Sequence, residues 1–422
     1  MNSCRILFVL AAAAALSIAP AAAFHSGGAA ECGGCHSMHE PAPGGDYLLT
    51  RIDSSSMCLS CHAAADTAPS RYHVMTYPVP GSGLPPVEQT PGGDFAWLLK
   101  SYTFTVRGTT QTELGQTHGH NVIAADYGLT VDTDFATAPG GTYSSSELGC
   151  QSCHDQHGRL RRLGGDTTYT FAHSGAPIIG SGSYDTSVVP TDTTAVGAYR
   201  LLRGGVLGSV DDEQPGVTYS NVFLAIVPST YNRVESVTQT RTAYGAAGTD
   251  TVGNWCASCH PGMHSSGNYV HPVDQSLGTN VANHYNSYVS TGDMTGSSST
   301  SFLSLVPFSE DTGDLATLKT HALITDAYLD GPTATDKVTC LSCHRAHASG
   351  FVDALRWNYE SDFLTVADSG GTPIWPGIDN GADASYHRGR TELEMRTAYY
   401  SRPATLFGAY QRALCNKCHG KD

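Results

Sequence analysis

Twelve of the thirteen cysteines in this chain occur as six pairs with two residues between them, and a histidine follows each pair directly. Two thiols at this spacing can add to the two vinyl groups of one porphyrin, while the adjacent histidine binds its iron. We therefore predict six covalently attached haem c groups, numbered one to six in chain order. The motifs are Cys32, Cys35 and His36; Cys58, Cys61 and His62; Cys150, Cys153 and His154; Cys256, Cys259 and His260; Cys340, Cys343 and His344; and Cys415, Cys418 and His419.

Zinc binding and disulfide formation are the other common uses of paired cysteines. Neither use requires a histidine after every pair, and only Cys4 is left outside the six motifs. The complete use of the remaining cysteines in one repeated pattern favours haem attachment.

Histidine is abundant enough to supply a second axial ligand for every iron. The chain has 19 histidines against 7 methionines, and methionine is the usual competing ligand, which raises the reduction potential. We therefore expect bis-histidine, six-coordinate iron of low potential at most haems. Such closed iron transfers electrons and offers no open position to a substrate.

A second histidine lies three residues after the motif histidine in motifs one, three and five, at His39, His157 and His347. Residues three apart on a helical turn lie on the same side, with Cβ atoms about 5–6 Å apart. The two axial ligands of one iron approach from opposite faces, so each of these histidines must serve another haem. One such histidine could be an ordinary surface residue, but three in alternation favour a threefold repeat of haem pairs.

If each of these histidines reaches back by one pair, His347 serves haem three and His157 serves haem one. His39 then has no earlier pair in its own chain, and haem five has no donor. A second chain placed head to tail supplies both, because its His39 ligates haem five of its neighbour. Such a heterologous contact does not close on itself and can propagate into a filament.

The first 23 residues read as a secretory signal peptide. Arg5 precedes a short apolar run, and Ala21 and Ala23 form an A-x-A cleavage site. Cys4 would be removed with this segment, and no later stretch approaches the 18 apolar residues of a membrane span. We expect an exported protein without a transmembrane segment.

The charge balance argues against nucleic acid as a partner. The chain has 23 basic and 38 acidic residues, whereas phosphate binding needs a basic face. Stretches rich in Gly, Ser, Thr and Pro separate the motifs, but 21 tyrosines spread along the chain argue against general disorder. We expect one elongated hexahaem domain over residues 24–422, mostly irregular coil with few short α-helices and minimal β structure, wrapped around stacked haems.

Three segments carry the pattern of a regular element. Apolar residues at helical spacing predict a helix over 405–420, with Gly420 as its stop. Residues 317–329 are a second helix candidate. Residues 101–108 alternate as a short strand does.

The chain resembles the OmcS-type family, the hexahaem outer-surface cytochromes of metal-reducing bacteria that polymerise into conductive nanowires. The resemblance covers nearly the whole mature length and rests on FHSGG, TPGGDF, GHN, CHDQHG, PSTYNR, CLSCHRAHASGF and YQRALCNKCH. It implies parallel haem pairs alternating with T-shaped contacts, and a histidine at the position of His39 that ligates haem five of the next subunit. The segment FAHSGAP at 171–177 has no match in the family.

The remaining distal ligands are assigned from position. His25 lies just after the expected cleavage site, where a ligand would fix the N-terminus, and His120 and His321 are the next candidates. His73, His264 and His271 are weaker candidates. His118, His173, His284 and His387 are interpreted as ordinary surface residues.

These observations favour an electron conductor over an enzyme. The conductor would polymerise outside the cell, receive electrons from other envelope cytochromes and deliver them to metal oxides, electrodes or other cells, acceptors that only the resemblance implies. A monomeric periplasmic shuttle would share the iron chemistry without polymerisation. A multihaem reductase would need one iron with an open position, and no residue points to one.

Overall fold

Regular secondary structure is sparse and the chain is mostly irregular, as predicted. The computed structural model describes residues 32–64, 72–87, 89–205, 217–220, 222–231, 233, 235, 238–264 and 271–420. The expected signal peptide and His25 lie outside these residues.

The α-helices are short, and several coincide with the haem motifs. They are α1 (Cys32–Cys35), α2 (Ser54–His62), α3 (Cys150–Cys153), α4 (Val252–Cys256), α5 (Pro261–His264), α6 (Gly278–Ser287), α7 (Leu315–His321), α8 (Cys340–Cys343), α9 (Ala384–His387) and α10 (Glu392–Ala398). Asp53 caps α2, because its Oδ1 accepts a hydrogen bond of 2.6 Å from the backbone of Ser56.

Short 3₁₀ turns connect much of the remaining chain. They are Asp46–Leu48, Phe95–Leu99, Gly115–His118, Ala125–Tyr127, Ser145–Glu147, Tyr199–Leu201, Val352–Ala354, Ile378–Asn380, Ala404–Leu406 and Leu414–Lys417.

The strands form small separate sheets of two or three members. They are β1 (Ala63–Ala64), β2 (Met75–Thr76), β3 (Tyr102–Val106), β4 (Thr109–Glu113), β5 (Leu160–Gly164), β6 (Tyr169–His173), β7 (Val196–Gly197), β8 (Ala225–Ile226), β9 (Ala243–Gly245), β10 (Ser309–Glu310), β11 (Val366–Ala367) and β12 (Pro373–Ile374). Hairpins pair β3 with β4, β5 with β6, and β11 with β12. β7 joins β5, β9 lies between β8 and β10, and β1 pairs with β2 in parallel.

The three predicted elements have different outcomes. The strand at 101–108 is confirmed as β3, with Arg107 and Gly108 in the left-handed region at its hairpin turn. Of the helix predicted over 317–329, only the part up to His321 forms, as the end of α7. The helix predicted over 405–420 is wrong: Tyr410 has a φ of 58°, and the backbone of Gln411 bonds to Thr365 Oγ1 and to Leu364 instead of to its own turn.

The largest apolar core lies around the C-terminal third of the chain. Trp375 stacks on Tyr399 with ring centres 4.1 Å apart, and Phe351 lies against the same tyrosine at 5.0 Å. Trp97 and Trp357 are buried in the same cluster. The core therefore includes residues that directly follow motif five.

No helix in the described part of the chain combines the length and the apolar character needed to cross a membrane.

Candidate haem-binding sites

Each described motif forms one tight turn that brings its two cysteines to the same side. Motifs one, three and five form α1, α3 and α8, motif two ends α2, motif four begins at the end of α4, and motif six forms the 3₁₀ turn Leu414–Lys417. In α3 and α8 the side-chain oxygen of the third helical residue, Ser152 or Ser342, accepts a hydrogen bond from the backbone N–H of the residue just before the helix. This local closure holds the thiols at the spacing that a porphyrin requires.

The motif histidines are oriented by backbone carbonyl groups. His36 Nδ1 lies 2.9 Å from Tyr47 O, His154 Nδ1 lies 2.8 Å from Arg200 O, and His344 Nδ1 lies 2.7 Å from Asp353 O. His62 and His260 make the same kind of bond to Tyr72 O and Pro139 O. A ring whose Nδ1 donates to a carbonyl keeps its proton there and presents an unprotonated Nε2 to a metal.

In motifs one, three and five the carbonyl comes from one recurring structure, which we name the return turn. The three return turns are residues 46–51, 199–204 and 352–357. Each has two successive residues in the left-handed region, with φ between 53° and 59°: Tyr47 and Leu48, Arg200 and Leu201, and Asp353 and Ala354.

Each return turn then pairs with the haem motif like a short antiparallel strand. The motif histidine bridges the leucine that follows the left-handed pair, at Leu49, Leu202 or Leu355. The next backbone N–H donates to the second cysteine's carbonyl group, over 3.0 Å from Thr50, 2.9 Å from Arg203 and 2.8 Å from Arg356. The odd-numbered motifs are thus three copies of one structure. The repeat is not visible in the sequence, because the number of residues between motif and return turn varies.

Three pairs of histidine rings face each other across a gap of one metal ion. The ring centres are 6.3 Å apart for His154 and His347, 6.1 Å for His120 and His260, and 6.2 Å for His271 and His419. A metal–imidazole bond is about 2 Å long and the bonded nitrogen lies roughly 1 Å from the ring centre, so two ligands of one metal have centres roughly 6 Å apart. All three pairs fit the two axial ligands of one haem iron.

One cluster of backbone contacts positions both His120 and His347. The His120 N–H donates to His347 O over 2.9 Å, and its Nδ1 lies 2.8 Å from Ala346 O. The His347 N–H donates to Gly92 O over 2.8 Å, and its ring stacks on Phe95 at 4.7 Å. A Cβ at Gly92 would lie 2.8 Å from His347 Nδ1, so this approach requires glycine.

Both of these histidines are neutral at ordinary pH, as iron ligands must be. Burial, with smaller contributions from the charges of His154 and His120, lowers the pKa of His347 to about 3. Burial and then the charge of His260 lower the pKa of His120. The segment TPGGDF therefore contacts the candidate distal ligand His347 through Gly92 and Phe95, and the segment GHN contains the other candidate, His120.

Cysteine contacts place the six motifs next to one another in chain order. Cys58 hydrogen-bonds with Cys150, and Cys256 with Cys340. Electrostatic interactions connect Cys35 with Cys61, Cys153 with Cys259, and Cys343 with Cys415 and Cys418. The first cysteine of motif two is therefore hydrogen-bonded to that of motif three, and the first cysteine of motif four to that of motif five. The second cysteines of the motifs interact electrostatically within the pairs one–two, three–four and five–six.

Zinc does not fit these motifs. The residues that the structure describes contain no group of three or more His, Cys, Asp or Glu side chains arranged to hold a metal ion. A structural zinc site needs four protein ligands, whereas a porphyrin supplies four nitrogens and leaves only two positions to the protein. Haem c would be held by the paired cysteines and histidines, and it would supply a one-electron iron centre at each motif.

The remaining candidate ligands lie in varied surroundings. His39 and His157 are exposed. His264 Nε2 lies 3.4 Å from Asp274 Oδ2, and His73 packs edge-on against Tyr72. His321 stacks on Tyr328 at 3.8 Å and bonds to Glu310 Oε2 at 2.6 Å, so the structure places it in a carboxylate cluster and not opposite a motif histidine.

Two histidines that were interpreted as surface residues are buried, and that prediction is wrong. His118 is fully buried, with Nε2 at 2.7 Å from Glu113 Oε1 and Nδ1 at 3.0 Å from Trp97 O. His387 is buried as well, and its Nδ1 accepts from the backbone of Gly389. No sequence pattern indicates that the carboxylate of Glu113, at the end of β4, lies beside His118.

Comparison with known proteins gives a close relative over the whole chain. No family model matches the sequence. The C-type cytochrome OmcS of Geobacter sulfurreducens is 46% identical over 439 residues, covering 99% of each chain. Two solved structures, the OmcS nanowires and the Outer Membrane Cytochrome S filament of the same organism, match with a TM-score of 0.85 each at 45% and 46% identity, over 94% of this chain and 100% of theirs. The chain belongs to the OmcS family of c-type cytochromes.

Proposed function

We propose that this protein is a hexahaem electron conductor in which six bis-histidine haems follow one another in the order of their motifs. The observation that carries the proposal is the set of three facing histidine pairs with ring centres 6.1–6.3 Å apart. They support His347 as the ligand of haem three, His120 of haem four and His271 of haem six. The sequence pattern predicts His157 for haem one, and we propose the remaining candidate His25 for haem two.

The cysteine contacts support an unbroken path for electrons. Side-chain hydrogen bonds or electrostatic interactions connect the cysteines of each motif with those of the next, from motif one to motif six, and we infer that the attached porphyrins would lie side by side. Electron transfer between closed irons changes no bond in a substrate, which makes the protein a conductor and not an enzyme.

Polymerisation is the second part of the proposal. Ring contacts among the described residues pair neither His36 nor His344 with a second histidine. The sequence pattern provides His157 for haem one, so haem five is left without a donor, and His39 is exposed. The exposed apolar side chains of Met38, Tyr47 and Ile52 lie near His39 in the sequence. We infer that this end binds the motif-five end of a second copy, with His39 ligating its haem five. The similar OmcS structures are named as nanowires and as a filament, which supports polymerisation.

The surroundings of the filament follow from its chemistry. The signal peptide would export the chain, other envelope cytochromes would donate electrons, and extracellular metal oxides, electrodes or cells would accept them. A monomeric periplasmic shuttle is the alternative, and it requires a ligand for haem five from within the same chain.

Imaging and spectroscopy of the purified mature protein test the proposal. We expect filaments by electron microscopy, a mass of six haems per chain, and low-spin ferric signals only. Discrete monomers with six low-spin haems would favour the shuttle. A stable high-spin fraction in intact filaments would contradict bis-histidine ligation at every site.

A further inference from the structure

Two buried arginines near motif five have no acidic partner in the described part of the chain. Arg345 and Arg356 are each only 4% exposed. Four other buried arginines are paired with carboxylates: Arg162 with Asp166, Arg241 with Glu310, Arg390 with Glu113, and Arg402 with Glu235. Because a buried charge is costly unless an opposite charge or hydrogen bonds compensate it, this pair requires an explanation.

The hydrogen bonds of the two side chains do not use all of their donors. Arg345 Nη1 donates to Pro91 O over 3.2 Å, and its guanidinium lies 3.6 Å from the centre of the Tyr400 ring. Its Nε is buried and has no hydrogen-bond partner among the residues that the structure describes. Arg356 donates to the carbonyls of Leu341, His344 and Ser304.

The two guanidinium groups affect each other. Burial first, and then the charge of Arg345, lower the pKa of Arg356 to about 10. Tyr231, Tyr244 and Tyr400 lie near the two guanidinium groups. Tyrosine is neutral at ordinary pH and cannot compensate their positive charge. The site therefore carries an excess of positive charge that a nearby anion would remove.

A small cavity lies between these residues. Its volume is about 20 Å³, and the residues that line it include Arg345 and Arg356 together with Tyr231, Thr240, Thr242 and Ser304. A cavity needs roughly 10–15 Å³ to hold one water-sized body. The space fits a single monatomic ion or one oxygen of a carboxylate.

One acidic residue also lines this cavity. Glu235 is paired with Arg402, and it accepts a hydrogen bond of 2.6 Å from Ser304 Oγ. Its charge is thus already matched by a third arginine, and Arg345 and Arg356 remain uncompensated.

We propose that this cavity binds one small anion between Arg345 and Arg356, either a dissolved halide or a carboxylate of an attached haem. The halide site stands on the protein's own residues, whereas the haem carboxylate and the redox readout rest on the proposed function. Arg356 influences Cys343 and His344 electrostatically, so the anion lies within range of haem five. A negative charge there favours the ferric state and lowers the potential of that haem.

The experiment uses intact protein exchanged into sodium gluconate and titrated with sodium bromide at constant ionic strength. After rapid desalting, X-ray fluorescence gives the ratio of bromine to iron, and spectroelectrochemistry follows the haem potentials. For a halide site we expect one bromide per six irons and one haem potential that falls with saturation. Both effects are lost in Arg345→Gln and retained in Arg107→Gln, which changes an exposed arginine at the turn between β3 and β4.

A haem carboxylate in the cavity gives a different result. No bromide is retained, and the carboxylate bands in the redox infrared difference spectrum shift in Arg345→Gln and in Arg356→Gln. The proposal is overturned if wild-type protein retains no bromide and these bands are unchanged in both variants. Iron content and the low-spin spectrum report separately on the proposed function, and the wild-type bromide ratio decides the halide case even if a variant does not fold.

Discussion

The return turns of motif one and motif five have the same backbone but different surroundings. At motif one, Tyr47 is 86%, Leu48 49% and Ile52 47% exposed. At motif five, Ala354 and Asn358 hold the positions of Leu48 and Ile52 and are buried, as are Arg356 and Trp357 between them, while Asp353 at the position of Tyr47 is exposed. Other parts of the same chain cover the return turn of motif five, whereas the return turn of motif one is open to solvent. We expect this difference if a second copy of the protein covers the motif-one turn.

Long-range contacts cover the motif-five turn. Arg390 Nε donates to Gly350 O over 2.8 Å, and Arg390 pairs with Glu113 at the end of β4. Tyr399 of the C-terminal core accepts a hydrogen bond from the backbone of Asn358. The motif-five turn is therefore part of the core, whereas the motif-one turn lies on the surface.

The largest expected effect on stability comes from Glu113→Gln, which removes the negative charge that pairs with Arg390 beside the motif-five turn. Burial would raise the pKa of Glu113, but Arg390 and His118 outweigh it and lower the pKa well below its usual value. Leaving Arg390 buried without its partner should cost about 3–5 kcal/mol, measured by denaturant unfolding.

The same residue predicts a pH dependence. A carboxyl group with a lowered folded pKa stabilises the fold above its unfolded pKa, near 4.5, and this contribution disappears as pH falls towards the folded value. Wild-type stability should therefore drop below pH 4.5 more steeply than that of Glu113→Gln. Parallel pH curves for the two proteins would contradict the assignment.

Proline at the first left-handed residue should distinguish the two return turns. Proline fixes φ near −65°, so Asp353→Pro cannot keep a φ of 56° and should cost about 3 kcal/mol. Tyr47→Pro should cost less, because little core surrounds it. Asp353→Gly and Tyr47→Gly are matched controls that keep the left-handed conformation, and we expect changes within about 1 kcal/mol.

Alanine at His347 or at His39 should each leave one haem in six high-spin, but with different consequences for assembly. His347→Ala should lose the distal ligand of haem three within the chain and keep filaments. His39→Ala should abolish filaments and leave single-chain stability unchanged. Electron paramagnetic resonance and microscopy provide the readouts, with His173→Ala as the control. Filaments of His39→Ala with a fully low-spin spectrum would refute the intersubunit role.

The smallest effect on stability should come from the exposed side chains of the motif-one turn. Tyr47→Ser and Leu48→Ser should change the free energy of unfolding by no more than about 0.5 kcal/mol. They should nevertheless raise the protein concentration needed for filament growth, measured by light scattering. Val189→Ser changes an equally exposed apolar residue elsewhere, and we expect no effect on growth. An equal effect from all three variants would remove the distinction between the two turns.

The sequence was sufficient for features whose chemistry lies within a few residues. A thiol pair and its histidine occupy five consecutive positions, so the attachment motifs are legible without a structure. The strand at 101–108 was predicted for the same reason, since alternation and a turn are local. The helix at 405–420 failed because Gln411 bonds to Thr365 and Leu364, partners that no local pattern reveals.

Spacing alone predicted that His347 serves haem three, and its ring faces His154. For the other two pairs, only the tertiary structure decided which histidines face each other. His120 meets His260, and His271 meets His419, over more than a hundred positions of chain in each case. His271 had ranked below His321, which stacks on Tyr328 beside Glu310 instead. Residue type and local spacing establish that a side chain can bind iron. Its partner depends on how distant segments pack, and that packing is determined by contacts spread over the whole fold.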